Sequence, residues 1–295
     1  MTKFLTYSTG FIFIVVLSGC FGRFAMTKKE LKSYYKDKPK PSFYIIKNDS
    51  VKLFCATAGS DTLPPLLLIH GAPGAWYGSR NMLGDSLLQS RFHIIAPDRL
   101  GYNKSTFHNK RKAVTSIQTQ SIALHEALLL NHSNKPAIVL GSSYGAPIAA
   151  NMAITYPNQF SHLVMLAGSI DPSVEKFWWF SKYTRFDPIK WMLPHFLRSS
   201  TDEKNTHVKE LKLLLPKWKQ LSISATVIQG CADKIVNPSN LDFAKEQLKH
   251  NNAAFIFIPE AGHLIRFQYP DLVRRILLEA DLKFTPTQLK SISIQ

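Results

Sequence analysis

Acidic residues, cysteine and glycine are all scarce in this 295-residue chain. Only 20 Asp and Glu stand against 36 Lys and Arg, for a formal net charge of +16. Such an excess suits nucleic acid, an anionic membrane surface or simple solubility. The basic residues are spread along the chain and no nucleic-acid-binding motif accompanies them, so nucleic acid is not read as a partner. Three cysteines (Cys20, Cys55 and Cys231) are too few for a disulfide framework, and no Cys–His spacing suggests zinc. There is no internal repeat and no low-complexity tract. The one prominent apolar run near the N-terminus, Phe11 to Leu17, falls short of the roughly 20 residues a comfortable membrane span needs. With 45% hydrophobic and 19% charged residues, wholesale disorder is excluded and a sizeable core is expected. The length suits one large domain, or one domain with an insert.

The N-terminus has the grammar of an export signal: Lys3, the apolar run, then small residues. Its end, Leu17-Ser18-Gly19-Cys20, resembles the bacterial lipoprotein box. That resemblance implies removal of residues 1–19 and lipidation of Cys20, with more than one acyl chain holding the protein on a membrane. It places the protein in a bacterial cell envelope. Phe21 is not the acidic residue associated with inner-membrane retention in some bacteria, which favours the outer membrane. Residues 20–41 are basic, partly aromatic and end in two prolines. They read either as a tether lying near anionic headgroups or as an ordinary solvated linker.

Beyond residue 42 the pattern alternates. Phe43–Ile46 and Val51–Ala56 form a hairpin pattern around Asn48-Asp49. Apolar runs at 66–69, 92–96, 137–140, 163–166, 225–228 and 254–258 read as buried strands. Helical segments fall between them, at 82–88, 116–130, 146–156, 241–248 and 272–282. Short apolar strands alternating with helices predict an α/β fold, a doubly wound and mostly parallel sheet covered on both faces. The core is assigned to 42–169 and 223–284, and 285–295 is a tail. The rhythm breaks over 170–222, which has no clear strand and reads as a helical insert.

The most informative stretch is Gly141-Ser142-Ser143-Tyr144-Gly145, where a strand pattern meets a helix pattern. A lone Gly-x-Ser-x-Gly says little, but in this context it is what a nucleophile elbow requires. The glycines two positions either side of Ser143 remove side chains that would strike the neighbouring strand and helix. Pro147 is tolerable, since amides of a first helical turn have no intrahelical partner. A serine hydroxyl needs an adjacent base. Histidine suits that role near neutral pH, and a buried carboxylate orients it.

At these residues the chain resembles the α/β-hydrolase family, from about Phe43 to Leu282. Leu66-Leu67-Leu68-Ile69-His70-Gly71-Ala72-Pro73-Gly74 is similar to its HGxPG-type oxyanion loop. Asp98-Arg99-Leu100-Gly101-Tyr102-Asn103-Lys104-Ser105 is similar to its D-x-x-G-x-G-x-S turn, with Asn103 in place of the second glycine. Asn103 tolerates left-handed backbone, so the turn is expected to survive. Gly230-Cys231-Ala232-Asp233 and Glu260-Ala261-Gly262-His263 are similar to the loops carrying the family's acid and base.

The resemblance implies a Ser143–Asp233–His263 triad, in the chain order expected of this fold. It also implies oxyanion donors at the backbone amides of Ala72 and Tyr144, and no metal or organic cofactor. Rival acids are Asp171 and Glu260. Asp98 is expected to brace its turn, and His70 to position its loop. Cys55 and Cys231 fall towards opposite ends of such a sheet, so both are expected to be free and largely buried.

The insert corresponds to the family's cap. It holds Phe177, Trp178, Trp179, Phe180, Tyr183, Phe186, Trp191 and Phe196, with Lys182, Arg185, Lys190 and Arg198 among them. These aromatics could wall an apolar pocket, touch a membrane or pack the cap onto the core. The expectation is a serine hydrolase acting on a carboxylic ester or related small acyl substrate. Serine at the elbow argues against the family's epoxide hydrolases and haloalkane dehalogenases, which use Asp there. An acyltransferase, aminopeptidase or C–C hydrolase with the same triad stays open, as does a non-catalytic envelope binding protein.

Overall fold

A computed structural model describes residues 26–176, 190–191 and 193–281. The leader, Cys20, the tail and the cap aromatics from Phe177 to Phe186 lie outside the described residues. The chain divides into two compact units, Met1–Lys38 and Pro39–Gln295. In the first, the described part holds one short helix, α1 (Lys28–Tyr34), within the stretch read as a tether. A reciprocal capping box starts it: the Thr27 hydroxyl accepts from the Glu30 amide, and the Glu30 carboxylate accepts from Thr27.

The second unit is built on one sheet. Its strands, among the described residues, are β1 (Ser42–Lys47), β2 (Val51–Ala58), β3 (Pro65–Ile69), β4 (His93–Pro97), β5 (Thr106–Phe107), β6 (Ala137–Ser142), β7 (Phe160–Leu166), β8 (Ser224–Gly230) and β9 (Ala253–Ile258). The order is β1-β2-β4-β3-β6-β7-β8-β9, with β5 paired to β2. Pairing is antiparallel among β1, β2, β4 and β5, and parallel from β4 through β3 to β9. The expected α/β architecture with a leading hairpin is present.

Strands β3, β4 and β6 are buried along their whole length, which explains why they read as unbroken apolar runs rather than alternating ones. The larger helices are α2 (Ile117–His125), α3 (Gly145–Thr155), α4 (His195–Leu214), α5 (Asn240–Gln247) and α6 (Pro270–Asp281). Helix α3 is buried from Gly145 to Ile154, running behind β6 and holding the elbow rigidly. Helix α6 buries Val273, Ile276, Leu277 and Ala280, one stripe at helical spacing.

Three expectations change. The helix expected over 82–88 is two single turns, Arg80–Leu83 and Ser86–Gln89, because Asp85 accepts from the Leu87 and Leu88 amides and starts a new turn. The segment 116–130 is α-helical only to His125, then continues as a 3-10 helix. Cys55 and Cys231 are both free, as expected, but only Cys55 is buried; Cys231 is exposed. Cys231 sits in the turn just after β8, outside the packed strand, so its thiol is not covered.

Candidate active site

Strand β6 ends at Ser142, and the next residue, Ser143, takes φ +54°. A non-glycine residue in this left-handed region is uncommon and strained, and here the surroundings enforce it. The Ser143 amide donates to Leu166 O of β7, and its carbonyl accepts from the amides of Ala146 and Ser169. The flanking glycines are required by space. A Cβ on Gly141 would lie 2.4 Å from Gly145 O, and one on Gly145 would lie 2.5 Å from Ile69 O. Gly71 packs against the nucleophile position, with its notional Cβ 3.0 Å from Ser143 Cβ.

The loops after β8 and β9 bring Asp233 and His263 together. His263 Nδ1 and Asp233 Oδ2 are 2.8 Å apart. The other carboxylate oxygen accepts from the Ile235 and Val236 amides at 2.8 and 2.9 Å, and Gln229 Nε2 donates to Oδ2 at 3.2 Å. Burial alone would raise the Asp233 pKa. The bond and charge of His263 and the two amides outweigh it, and the carboxyl lies below its usual range. An ionised carboxylate can only accept, so Nδ1 carries the hydrogen that faces Asp233, and in the neutral imidazole the lone pair is on Nε2.

Neither rival acid bonds His263 among the described residues. Asp171 accepts from the amide and hydroxyl of Ser173, and Glu260 is exposed. Among the described residues Ser143 Oγ makes no hydrogen bond, to His263 or to any other group. In ligand-free sites such bonds are commonly long and tighten when substrate binds. The amides of Ala72 and Tyr144 donate to no protein group among the described residues. Ala72 precedes a cis peptide bond to Pro73.

His70 is a different kind of histidine. Its ring lies fully inside the protein, with Nδ1 2.8 Å from Gly71 O and Nε2 accepting from the Arg99 amide at 2.9 Å. Burial, then the charge of Arg99, holds its pKa well below the usual value, so it is neutral. Both nitrogens are spent on the loop, as expected of a positioning residue. Asp98 also braces as expected: its carboxylate accepts from the Trp76 amide and from Asn103 Nδ2, and Asn103 takes φ +44°.

Sequence reasoning missed two arginines. Arg99 is completely buried and forms a bidentate ion pair with Glu203 of α4, at 2.5 and 3.0 Å. Tyr102 Oη donates to the same carboxylate, and Arg99 also reaches the carbonyls of His70 and Gly71. Burial pulls its pKa down, but the charge of Glu203 more than reverses that. Arg99 therefore ties the insert to the loop that faces Ser143. The available signal was the spacing Ser199, Glu203, His207, Leu211, a four-residue stripe that is buried although its first three members are polar. The second arginine, Arg266, follows His263 by three residues and donates to Ser142 Oγ at 3.1 Å.

A family model described as the alpha/beta hydrolase fold matches residues 64–219, more than half of the chain. The chain belongs to this family. It is 24% identical over 280 residues to the AB hydrolase superfamily protein YfhM of Bacillus subtilis (strain 168), covering 79% of this chain and 96% of that protein. It is 28% identical over 123 residues to Epoxide hydrolase 3 of Mus musculus, covering 42% of this chain and 32% of that protein. Among solved structures, a bacterial membrane phospholipase A superposes with a TM-score of 0.63 at 17% identity, covering 95% of this chain and 98% of that one. That likeness is one of fold.

Proposed function

We propose that this α/β-hydrolase family member is a serine hydrolase that cleaves a carboxylic ester or related acyl substrate. The observation that carries the reading is the orientation of His263. Its Nδ1 is committed to Asp233, leaving Nε2 as the available base, while Ser143 stands at a strained elbow beside Gly71. In this reading Nε2 takes the Ser143 proton as Oγ attacks the carbonyl. The Ala72 and Tyr144 amides, which have no protein acceptor among the described residues, stabilise the oxyanion. The protonated His263 gives its proton to the departing alcohol. Water, activated by the same imidazole, then releases the acid from Ser143. The serine at position 143 argues against carrying the reaction of the epoxide hydrolase relatives over to this chain.

Hydrolysis of a panel of 4-nitrophenyl esters of increasing acyl length tests the reading. Turnover should be abolished in Ser143→Ala and His263→Ala. Turnover that survives both substitutions overturns it.

We further propose that the protein is a lipoprotein of the bacterial envelope, cleaved before Cys20 and held on the outer membrane through that residue. Lys3, the Phe11–Leu17 run and Leu17-Ser18-Gly19-Cys20 support this. Cells fed an alkyne fatty acid should label the full chain in the outer-membrane fraction, and Cys20→Ser should not be labelled. Equal labelling of both contradicts it.

A further inference from the structure

Two of the hydrogen bonds made by the Arg99 guanidinium go to successive backbone carbonyls. Nη1 and Nη2 meet the two oxygens of Glu203 at 2.5 and 3.0 Å, Nε donates to His70 O at 3.0 Å, and Nη2 donates to Gly71 O at 3.1 Å. A rigid planar fork can hold a carboxylate and two carbonyls from fixed directions at once, and a lysine ammonium cannot. Arg99 Cζ also lies 4.7 Å from the Tyr102 ring centroid and 4.9 Å from that of Tyr144, the residue of the second expected oxyanion donor.

The bond to Gly71 O bears on the first donor. His70 Nε2 accepts from the Arg99 amide, so in the neutral ring the hydrogen is on Nδ1, which donates to Gly71 O at 2.8 Å. Two donors therefore hold this carbonyl. The Gly71–Ala72 peptide is trans, and in a trans peptide the N–H points opposite to the C=O. Fixing Gly71 O thus fixes the Ala72 N–H, turned away from Arg99 and left with no protein acceptor among the described residues. The peptide lies against the nucleophile: a Cβ on Gly71 would come 3.0 Å from Ser143 Cβ and 3.5 Å from its Oγ. A charged donor on the carbonyl also polarises the peptide and strengthens its N–H. Arg99 is set in turn by the insert. Glu203 belongs to α4, its Oε2 also accepts from Tyr102 Oη at 2.6 Å, and Arg99, Tyr102 and Glu203 are all fully buried.

We propose that Arg99 is a positioning residue of the oxyanion hole. With His70 it holds the Gly71–Ala72 peptide so that the Ala72 N–H meets the developing charge, and through Glu203 it makes helix α4 of the insert a support of that hole. The proposal rests on the serine-hydrolase reading and deepens it.

The test compares full-length wild type, Arg99→Lys, Glu203→Gln and Tyr102→Phe on 4-nitrophenyl acetate and on its thionoester, in which sulfur replaces the carbonyl oxygen. Sulfur is a weak acceptor, so the thionoester draws little from the oxyanion donors. Losing an oxyanion donor outright costs about 10²–10³ in kcat. Misplacing one should lower the ester-to-thionoester ratio of kcat/KM at least about tenfold in Arg99→Lys, through kcat rather than KM, with smaller drops in Glu203→Gln and then Tyr102→Phe. Because the ratio is taken within one protein, partial unfolding cancels, and a residue that only holds the fold together moves both rates alike. A second readout needs no turnover. The chain has three Gly-Ala pairs, at 71–72, 74–75 and 145–146. With carbon-13 on glycine carbonyls and nitrogen-15 on alanine amides they give three NMR correlations, of which that of 71–72 should move most in the variants. If the wild type cleaves the ester, the ratio decides: a ratio unchanged in every folded variant overturns the proposal and leaves the hydrolase reading standing. If the wild type cleaves neither substrate, the hydrolase reading falls and the correlation decides whether Arg99 holds the peptide; an unmoved 71–72 correlation overturns that as well.

Discussion

Ser143 stands between two flanks that use the same residue types to opposite ends. On one flank His70 and Arg99 spend their polar atoms on the protein itself: both imidazole nitrogens bond the loop, and the guanidinium is answered by Glu203 and two carbonyls. On the other, among the described residues, His263 keeps Nε2 unspent and Arg266 has one hydroxyl for a hydrogen-bond acceptor. Burial alone does not distinguish the flanks, since Asp233 is as enclosed as Glu203. What differs is the donor or acceptor left over. A closed hydrogen-bond account marks a residue that shapes the site, and an open one marks a residue placed to meet a substrate.

The comparison breaks most visibly through substitutions on the open flank. Ser143→Ala or His263→Ala should lower kcat by about 10⁶, because serine and base act as a unit. Asp233→Asn should cost about 10⁴ by fixing the wrong tautomer of His263. Steady-state kinetics on folded variants checks both, and losses below about tenfold would break the assignment. On the closed flank the larger effect should fall on stability. Glu203→Ala leaves Arg99 buried and unpaired, at a cost of about 3–5 kcal/mol in denaturant unfolding. Arg266→Gln removes a charge that has no carboxylate partner among the described residues, together with one bond to Ser142, and should cost no more than about 1.5 kcal/mol. A similar loss for both would mean that Arg266 is structural.

Acid sharpens the contrast further. Burial lowers the pKa of His70 far below its usual value and those of His162 and His207 to about 4. An unfolded histidine takes a proton near pH 6.5, so the unfolded state binds more protons below that pH. The contribution of these residues is intact above about 6.5 and stability should fall as pH drops from there towards 4. Thermal melts across that range test it, and a flat profile would contradict the neutral, buried assignment. The smallest effect concerns the thiols. Iodoacetamide on the folded protein should modify Cys231 and spare Cys55, whose thiol burial pushes up.

Each flank was legible in part: the histidines His70 and His263 sit in motifs with local signatures, and the arginines Arg99 and Arg266 do not. The groups proposed as catalytic sit at strand ends and carry local signatures: the glycine spacing around Ser143, and the short loops bearing Asp233 and His263. Strands β3 and β6 were legible because burial on both faces makes them continuous apolar runs. The Arg99–Glu203 pair joins residues 104 positions apart, and neither partner has a neighbour that announces the other. The exposure of Cys231 was misjudged because placing it near a strand end does not say which side of the turn is covered. The Met82–Leu88 pattern concealed a break because a cap at Asp85 costs nothing in hydrophobic spacing.

The central claim is that Ser143 is an activated nucleophile. It is tested most directly by treating the full chain with a fluorophosphonate and locating the adduct by peptide mass. The account predicts one adduct, on Ser143, absent from Ser143→Ala and strongly reduced in Asp233→Asn. A folded protein that takes no label, or takes it equally in the wild type and Ser143→Ala, would contradict it.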